Sequence, residues 1–307
     1  MIKFILIGIL ILLVCCVITS VVTWQILRTK STPQFRNMKL PNLQARSDQR
    51  VDIYVPHSRE FDVNTTGISI IVSYYNNPDG LLAQARVLSL YPQKFREHVE
   101  FIVVDDGSIE KPARDFKQKF LDILNQPWDV VFIELTEDIG FNSGGAKHTG
   151  VIHARHGRVL LIDMDCWVFP NSCYNFLHQK LNSKQFMCNF SAAFNIDPHI
   201  GFIHPNIYFI HKDDFLAIGG YDENFSGKYG CEDLDLRNRL LFHGYEMCNE
   251  EVWVSWIVNS QIGITSQKRN LKELLAEADS NFQMHLQNIA NGHPIPTRMA
   301  RVPYHII

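Results

Sequence analysis

The chain has 307 residues, 46% of them hydrophobic and 20% charged, with a formal net charge of −3. This composition excludes a disordered or fibrous polymer, and the charge excludes a general nucleic-acid binder, which would carry a basic stripe. At roughly 150 residues per domain the length predicts one large domain or two small ones, with a sizeable core.

The chain opens with an uncharged span of 24 residues, Phe4 to Leu27 ("FILIGILILLVCCVITSVVTWQIL"). At about 1.5 Å per residue it covers the roughly 30 Å hydrocarbon core of a bilayer. A cleaved signal peptide has an apolar region of only about 7–15 residues, so residues 1–27 are expected to be an uncleaved transmembrane helix with Trp24 at the interface. Orientation is open. Lys3 alone precedes the span while Arg28, Lys30, Arg36, Lys39 and Arg46 follow it, which favours a cytosolic catalytic domain. The sequons at Asn64, Asn189 and Asn224 point instead to a secretory lumen. Residues 28–66 are polar and Pro-punctuated, as in a stem or linker.

From Gly67 the pattern changes. "ISIIVS" (68–73) reads as a strand followed by the turn cluster Asn-Asn-Pro-Asp-Gly, and "LLAQARVLSLY" (81–91) as a helix. "VEFIVVDDGS" (99–108) is an apolar run ending in two acids, "KPARDFKQKFLDILNQ" (111–126) a helix, and "WDVVFIEL" (128–135) a strand. "GGAKHTGVIHARH" (144–156) reads as a helix and "RVLLIDMD" (158–165) as a strand. Strands alternating with helices of about 12 residues indicate βαβ units and a mainly parallel sheet, whose ligands lie beyond the carboxyl ends of the strands. After that the regularity fades. Strands are expected at 186–194, 205–211 and 251–258, a helix at 231–244, and an amphipathic helix at 270–290 before a Pro-containing tail.

Several residues could carry chemistry. Asp163 and Asp165 end the apolar strand; strand alternation would turn them the same way, with Met164 opposite. They form a solvated turn or coordinate a hard divalent cation, Mn²⁺ or Mg²⁺, and their place between a buried strand and the bulky "CWVFP" favours the cation. Asp106 in "VVDDGS" fits equally a type I turn or a carboxylate offered to a ribose hydroxyl or base edge. Glu232 and Asp233 follow a glycine-dense loop (219–230). They read as acids stabilised in the first turn of a helix or as a general base toward an acceptor hydroxyl. Asp235, Arg237 and Arg239 read as a solvated face. Lys147 and the amides of 142–145 open a helix and could meet a phosphate, although a helix start alone is more often structural. The thirteen histidines show no H-x₃-H spacing, and the five cysteines beyond the span no metal-type pairing.

Together, "ISIIVSYYNNPDGL", "FIVVDDGS" and "LLIDMD" resemble the GT-A glycosyltransferases of family two. "GGYDENFSGKYGCEDLDLRNRL" is similar to the C-terminal motif of the β-1,4-galactosyltransferase and polypeptide N-acetylgalactosaminyltransferase group. The resemblance covers residues 67–245. It implies an α/β fold with a GT-A (Rossmann-like), mostly parallel sheet flanked by helices, here preceded by one transmembrane helix. The implied division is an anchor at 1–27, a stem at 28–66, the glycosyltransferase domain at 67–260 and a C-terminal helical tail at 261–307 packing on it.

The implied activity is metal-dependent, inverting transfer from a nucleotide-diphosphate sugar, UDP-sugars favoured, to an acceptor hydroxyl of a glycan. By the same resemblance Ser73, Tyr74, Tyr75, Asp106, Lys147 and Asp163 bind the donor, and Asp165 with Asp163 binds the metal. Asp233 is the base with Glu232 beside it, and Tyr229, Gly230 and Glu232 meet the acceptor. Two departures stand out. Ser226-Gly-Lys-Tyr-Gly-Cys231 replaces the Trp-Gly-Trp-Gly-Gly run of the galactosyltransferases, and Thr265 stands where they bring a metal-binding His. His285 or water could replace that ligand. The rival readings are a degenerate sugar-nucleotide-binding or scaffold relative, and a nucleotidyltransferase. The latter would want a basic Gly-rich signature after the first strand, which "SYYNNPDG" lacks.

Overall fold

The computed structural model describes residues 67–194, 197–248, 253–256, 271–296 and 302–307. Among these no helix is long and apolar enough to cross a membrane; the expected anchor, the stem, Asn64 and Thr265 lie outside the described residues.

The centre is a parallel sheet in the order β3-β2-β1-β4, formed by β1 (Ile68–Tyr74), β2 (Val99–Asp105), β3 (Asp129–Leu135) and β4 (Arg158–Ile162). These strands are apolar on both faces because helices cover both. Ile68, Ile70, Ile71 and Val72 are at most 1% exposed, as are Val159 to Ile162. Each such aliphatic side chain contributes about 1.5–3 kcal/mol on burial.

Helix α1 (Pro78–Ser89) starts where its sequence dictates. Pro78 occupies the first turn and the Asn77 side chain caps it by accepting from Gly80 N at 3.0 Å, three residues earlier than periodicity suggested. The short α2 (Gln93–Arg96) leads into β2, and α3 (Lys117–Leu124) follows a 3₁₀ turn at Ala113–Phe116. On the other face lies α4 (Ser143–His153). It approaches the sheet so closely that a Cβ on Gly150 would lie 2.4 Å from Ile71 Cγ2. That proximity buries Lys147 and His148.

Beyond β4 the sheet becomes mixed. The strand β7 (Asp197–His211) pairs antiparallel with β4 and with β6 (Gln185–Phe194). β6 pairs parallel with β8 (Glu246–Met247) and β9 (Trp253–Trp256), and β9 antiparallel with β5 (Cys166–Trp167). β7 begins well before the expected residue 205. Pro198, Gly201 and Pro205 hide it in the sequence, and the β6–β7 register slips between Cys188↔Tyr208 and Phe190↔His204, beside Pro205, as a bulge at a proline does. Helices α5 (Pro170–His178), α6 (Lys212–Ala217), α7 (Glu232–Phe242) and α8 (Leu271–Ala290) complete the layers.

The tail is more than the expected helix. Its end forms β10 (Tyr304–Ile306), antiparallel to β3. Thr136 N donates to Pro303 O at 2.8 Å, and Lys117 Nζ donates to the Ile307 carbonyl at 2.8 Å. The last strand thus closes the edge that β3 would otherwise leave open.

Candidate active site

The carboxyl ends of β2, β1 and β4 lie side by side, with Tyr74 opposite Asp105. Beyond them sit the segments 74–76, 105–108 and 163–165.

β4 stops at Ile162, so Asp163 to Asp165 occupy a turn into β5 rather than the strand itself. Cys166 N closes it by donating to Asp163 O at 2.9 Å. Met164 is buried in the core while Asp163 and Asp165 are half-buried, the division expected, reached through a turn instead of strand alternation. The buried Gln84 of α1 donates through Nε2 to Met164 O at 3.1 Å and to Cys166 O at 2.8 Å, fixing the turn from below.

Lys147 corrects an expectation. Its ammonium is 1% exposed and donates to Asp163 Oδ1 at 2.6 Å, so it pairs with the acidic turn rather than standing open to a phosphate. Burial alone would lower its pKa. The carboxylates of Asp163, Asp233 and Glu232 outweigh burial and keep it protonated well above its usual range.

The acidic pair opens α7. Glu232 and Asp233 are 8% and 7% exposed, far from the solvated first turn that a capping role suggests. Asp233 Oδ1 accepts from Tyr221 at 3.0 Å, and its main-chain carbonyl accepts from Tyr208 at 2.6 Å. Burial raises both pKa values; Asp233 adds to the rise at Glu232, and Lys147 and Tyr221 pull Asp233 back down. The pair therefore holds a proton above the usual carboxylate range. A cleft between the start of α4 and the 221–226 segment is lined by Asn142, Gly144, Tyr221, Phe225, Ser226 and Glu232. The Glu232 Oε2 atom, buried there, has no hydrogen-bond partner.

The other expected residues divide. Ser73 pairs its hydroxyl with that of Ser143 at 2.7 Å, and Tyr75 donates to Asp138 at 2.8 Å; both are half-buried at the strand ends. Tyr74 does not line an open pocket. Alternation turns it into the core, where it is 0% exposed and donates to Lys111 O. Asp106 is 5% exposed, and its two oxygens accept from Asn142 N at 3.0 Å and Asn142 Nδ2 at 3.1 Å. It anchors the start of α4 rather than facing a ribose. Tyr229 is 41% exposed and meets Phe141 edge-on at 5.1 Å, and Gly230 adopts φ +98°.

Asp235 and Arg239, expected on a solvated face, are each 1% exposed and paired at 3.1 Å. His285 faces this pair. Its Nδ1 lies 3.3 Å from Asp235 and its Nε2 3.2 Å from Asn238, so both nitrogens are engaged and it is not a third metal ligand. Among the described residues no group of three His, Cys, Asp or Glu could hold a metal. Two carboxylates nevertheless suit a hard cation that completes its shell with water and substrate phosphates, and Asp165, beside the Lys147-paired Asp163, is the side chain that fits. Gln84, Tyr221 and the side chain of Asn142 were not singled out from sequence. Each acts through hydrogen bonds to residues distant in the chain, which leaves no periodicity to read.

The profile of glycosyl transferase family 2 matches residues 69–227, more than half of the 307-residue chain. Among solved structures the chain is similar to the mannosyltransferase PcManGT from Pyrobaculum calidifontis, solved in complex with GDP-Man and Mn²⁺. The TM-score is 0.55 at 16% identity, over 78% of this chain and 70% of that one. It also matches S. aureus TarS with a TM-score of 0.48 at 12% identity, over 74% of this chain and 40% of that one. No curated protein matches the chain. The profile ends at Gly227, so the likeness of 219–240 to the galactosyltransferase motif gains no support from it. A mostly parallel sheet flanked by helices, acidic residues at its carboxyl edge and the family match agree: the chain belongs to glycosyl transferase family 2 and is a glycosyltransferase of the GT-A α/β fold.

Proposed function

We propose that the protein transfers a sugar, with inversion, from a nucleotide-diphosphate sugar (UDP-sugars favoured) to an acceptor hydroxyl on a glycan, with help from a divalent cation. The observation that carries this reading is the buried ammonium of Lys147, 2.6 Å from Asp163 of the D-x-D turn at the carboxyl edge of the sheet. The buried Asp233 and Glu232 add to the negative charge that keeps it protonated.

On this reading the donor lies across the carboxyl ends of β2, β1 and β4, with Ser73 and Tyr75 at its border. Asp165, with Asp163 alongside, would hold Mn²⁺ or Mg²⁺, which neutralises charge on a leaving diphosphate when bound. Asp233 removes the proton of the acceptor hydroxyl as that oxygen attacks the anomeric carbon opposite the leaving group. Burial raises both members of the pair, so a proton is held between them above the usual carboxylate range, and Asp233, which accepts from Tyr221, is the member assigned as base. Glu232, with its unpartnered oxygen in the cleft, binds the acceptor beside Tyr229 and Gly230. The Mn²⁺ and GDP-Man in the P. calidifontis enzyme support the choice of cation and donor class. The apolar residues 4–27 would tether the domain to a membrane.

The test uses the full chain with UDP- and GDP-sugars, with and without Mn²⁺, and reads the released nucleotide and the product anomer. Asp233→Asn should bind donor normally and lose about 10²–10⁴-fold in turnover. Failure to bind any nucleotide sugar would favour a degenerate scaffold, release of sugar 1-phosphate in place of the nucleoside diphosphate would favour a nucleotidyltransferase, and unchanged turnover in Asp233→Asn would remove the base assignment.

A further inference from the structure

Helix α8 was expected to bury an apolar stripe. The structure shows the reverse. Asn281 and His285 are 0% and 2% exposed, while Leu275, Leu286 and Ile289 are 60%, 39% and 44% exposed. A helix that docks by its polar face is placed by hydrogen bonds, which are directional, and not by area alone.

Those bonds converge on one loop. Asn281 Nδ2 donates to Gly230 O at 2.9 Å, Lys228 O at 3.1 Å and Phe225 O at 3.4 Å. An amide has two N–H groups, so one of them is shared. One turn earlier, Glu277 Oε2 accepts from Tyr229 N at 3.0 Å, and Lys228 Nζ donates to Ser280 Oγ at 2.9 Å. The loop so gripped ends in two left-handed residues, Gly230 at φ +98° and Cys231 at φ +70°. Cys231 is the N-cap of α7, and its side chain makes no capping bond. A non-glycine residue in that region is strained and persists only where its surroundings over-determine it. The residue after it is Glu232.

We infer that α8 is a clamp for the acceptor side of the site, with Asn281 and Glu277 as positioning residues that hold the 225–231 loop, Tyr229 and the strained entry to Glu232 in one geometry. The inference deepens the proposed function and rests on Glu232 and Asp233 being the acceptor-side pair. The donor side, at the ends of β2, β1 and β4, is built from other elements and does not depend on the clamp.

The test compares Asn281→Leu, which removes the donor, with Asn281→Gln, which keeps it, and with Glu277→Ala at a half-buried position where folding is not at issue. Full-length enzyme is given UDP-glucose, UDP-N-acetylglucosamine and GDP-mannose. Each is assayed for hydrolysis and for transfer to a panel of methyl glycosides, and backbone hydrogen exchange is followed in parallel. Asn281→Leu should raise the acceptor KM about 10–100-fold while the KM for the donor stays within about twofold. Glu277→Ala should do the same more weakly, and Asn281→Gln should recover part of the loss. Amides of 226–235 should exchange faster in Asn281→Leu and Glu277→Ala, with those of β1–β4 unchanged. An unchanged acceptor KM, an equal rise in the donor KM, or unchanged loop exchange would overturn the clamp. If the wild type turns over none of these substrates, that result counts against the glycosyl-transfer reading, and the exchange measurement alone decides the clamp.

Discussion

Two regions of this molecule are joined by opposite chemistry. Between the body of β1–β4 and the helices on them, contact is mainly apolar: Ile71, Val104 and Leu161 pack under α4, which carries Gly150 where the sheet comes nearest. Between α7 and α8 it is polar: Asp235, Arg239, His285 and Asn288 form one buried network, and Asn281 holds backbone carbonyls. Apolar burial is non-directional and roughly proportional to area, so it builds a firm platform without fixing any one atom. A hydrogen-bonded interface has fewer solutions, and it sits behind the two residues whose positions would matter most, Glu232 and Asp233.

The sharpest way to break this contrast is a volume-matched swap in each region. Arg239 donates to Ile218 O and Gly220 O, each at 2.8 Å, and to Asp235. Arg239→Met leaves a buried carboxylate short of its cation and should cost about 3–5 kcal/mol by urea unfolding. In the apolar region Leu161→Met should cost less than about 1.5 kcal/mol. Equal losses would mean that the two interfaces are not different in kind. Gly150→Ala falls between them. A methyl group 2.4 Å from Ile71 Cγ2 must push α4 outward, at about 1–3 kcal/mol. Because α4 carries Lys147, that variant should also weaken donor binding, measurable by nucleotide-sugar titration.

The same contrast explains what the sequence allowed. β1 to β4 and α4 are legible because two-sided burial writes unbroken apolar runs, and their ends carry acids that have no packing reason to be there. The D-x-D turn could be found for that reason, and the Glu232-Asp233 pair because a glycine-dense loop leads into it. The polar interface was misread: Asp235 and Arg239 look like any solvated helix face, and the outward Leu275, Leu286 and Ile289 give α8 an apolar stripe on the wrong side. Lys147 and Asp106 were expected to meet the donor, but the partners they have, Asp163 and Asn142, are set by how α4 lies on the sheet. No local pattern encodes that placement. Tyr74 was legible in hindsight, since alternation with Ser73 and Tyr75 sends it inward.

The smallest expected effects are the most diagnostic, because the two regions should respond to pH with opposite sign. Burial pushes Asp106 up to about 7 even though both of its bonds from Asn142 work the other way. Its unfolded value is about 3.9, so between about pH 4 and 7 the folded chain keeps a proton that the unfolded chain has released. Its contribution is full at low pH and is lost as pH rises through that window. Asp235 is the reverse: burial would raise it, but His285, Arg239 and Asn288 more than offset burial and hold it below the usual range. Its contribution is present above about pH 4 and is lost as pH falls below that value. Each proton changes the slope of stability against pH by at most about 1.4 kcal/mol per unit. Asp106→Asn should therefore flatten the decline between about pH 4 and 7, and Asp235→Asn should flatten the rise on the acid side. Each substitution also disturbs a hydrogen bond, but that loss shifts the whole curve without tilting it, so the slope isolates the titration. Slopes of the same sign in both variants would show that charge is handled alike in the two regions, and the division between platform and clamp would not hold.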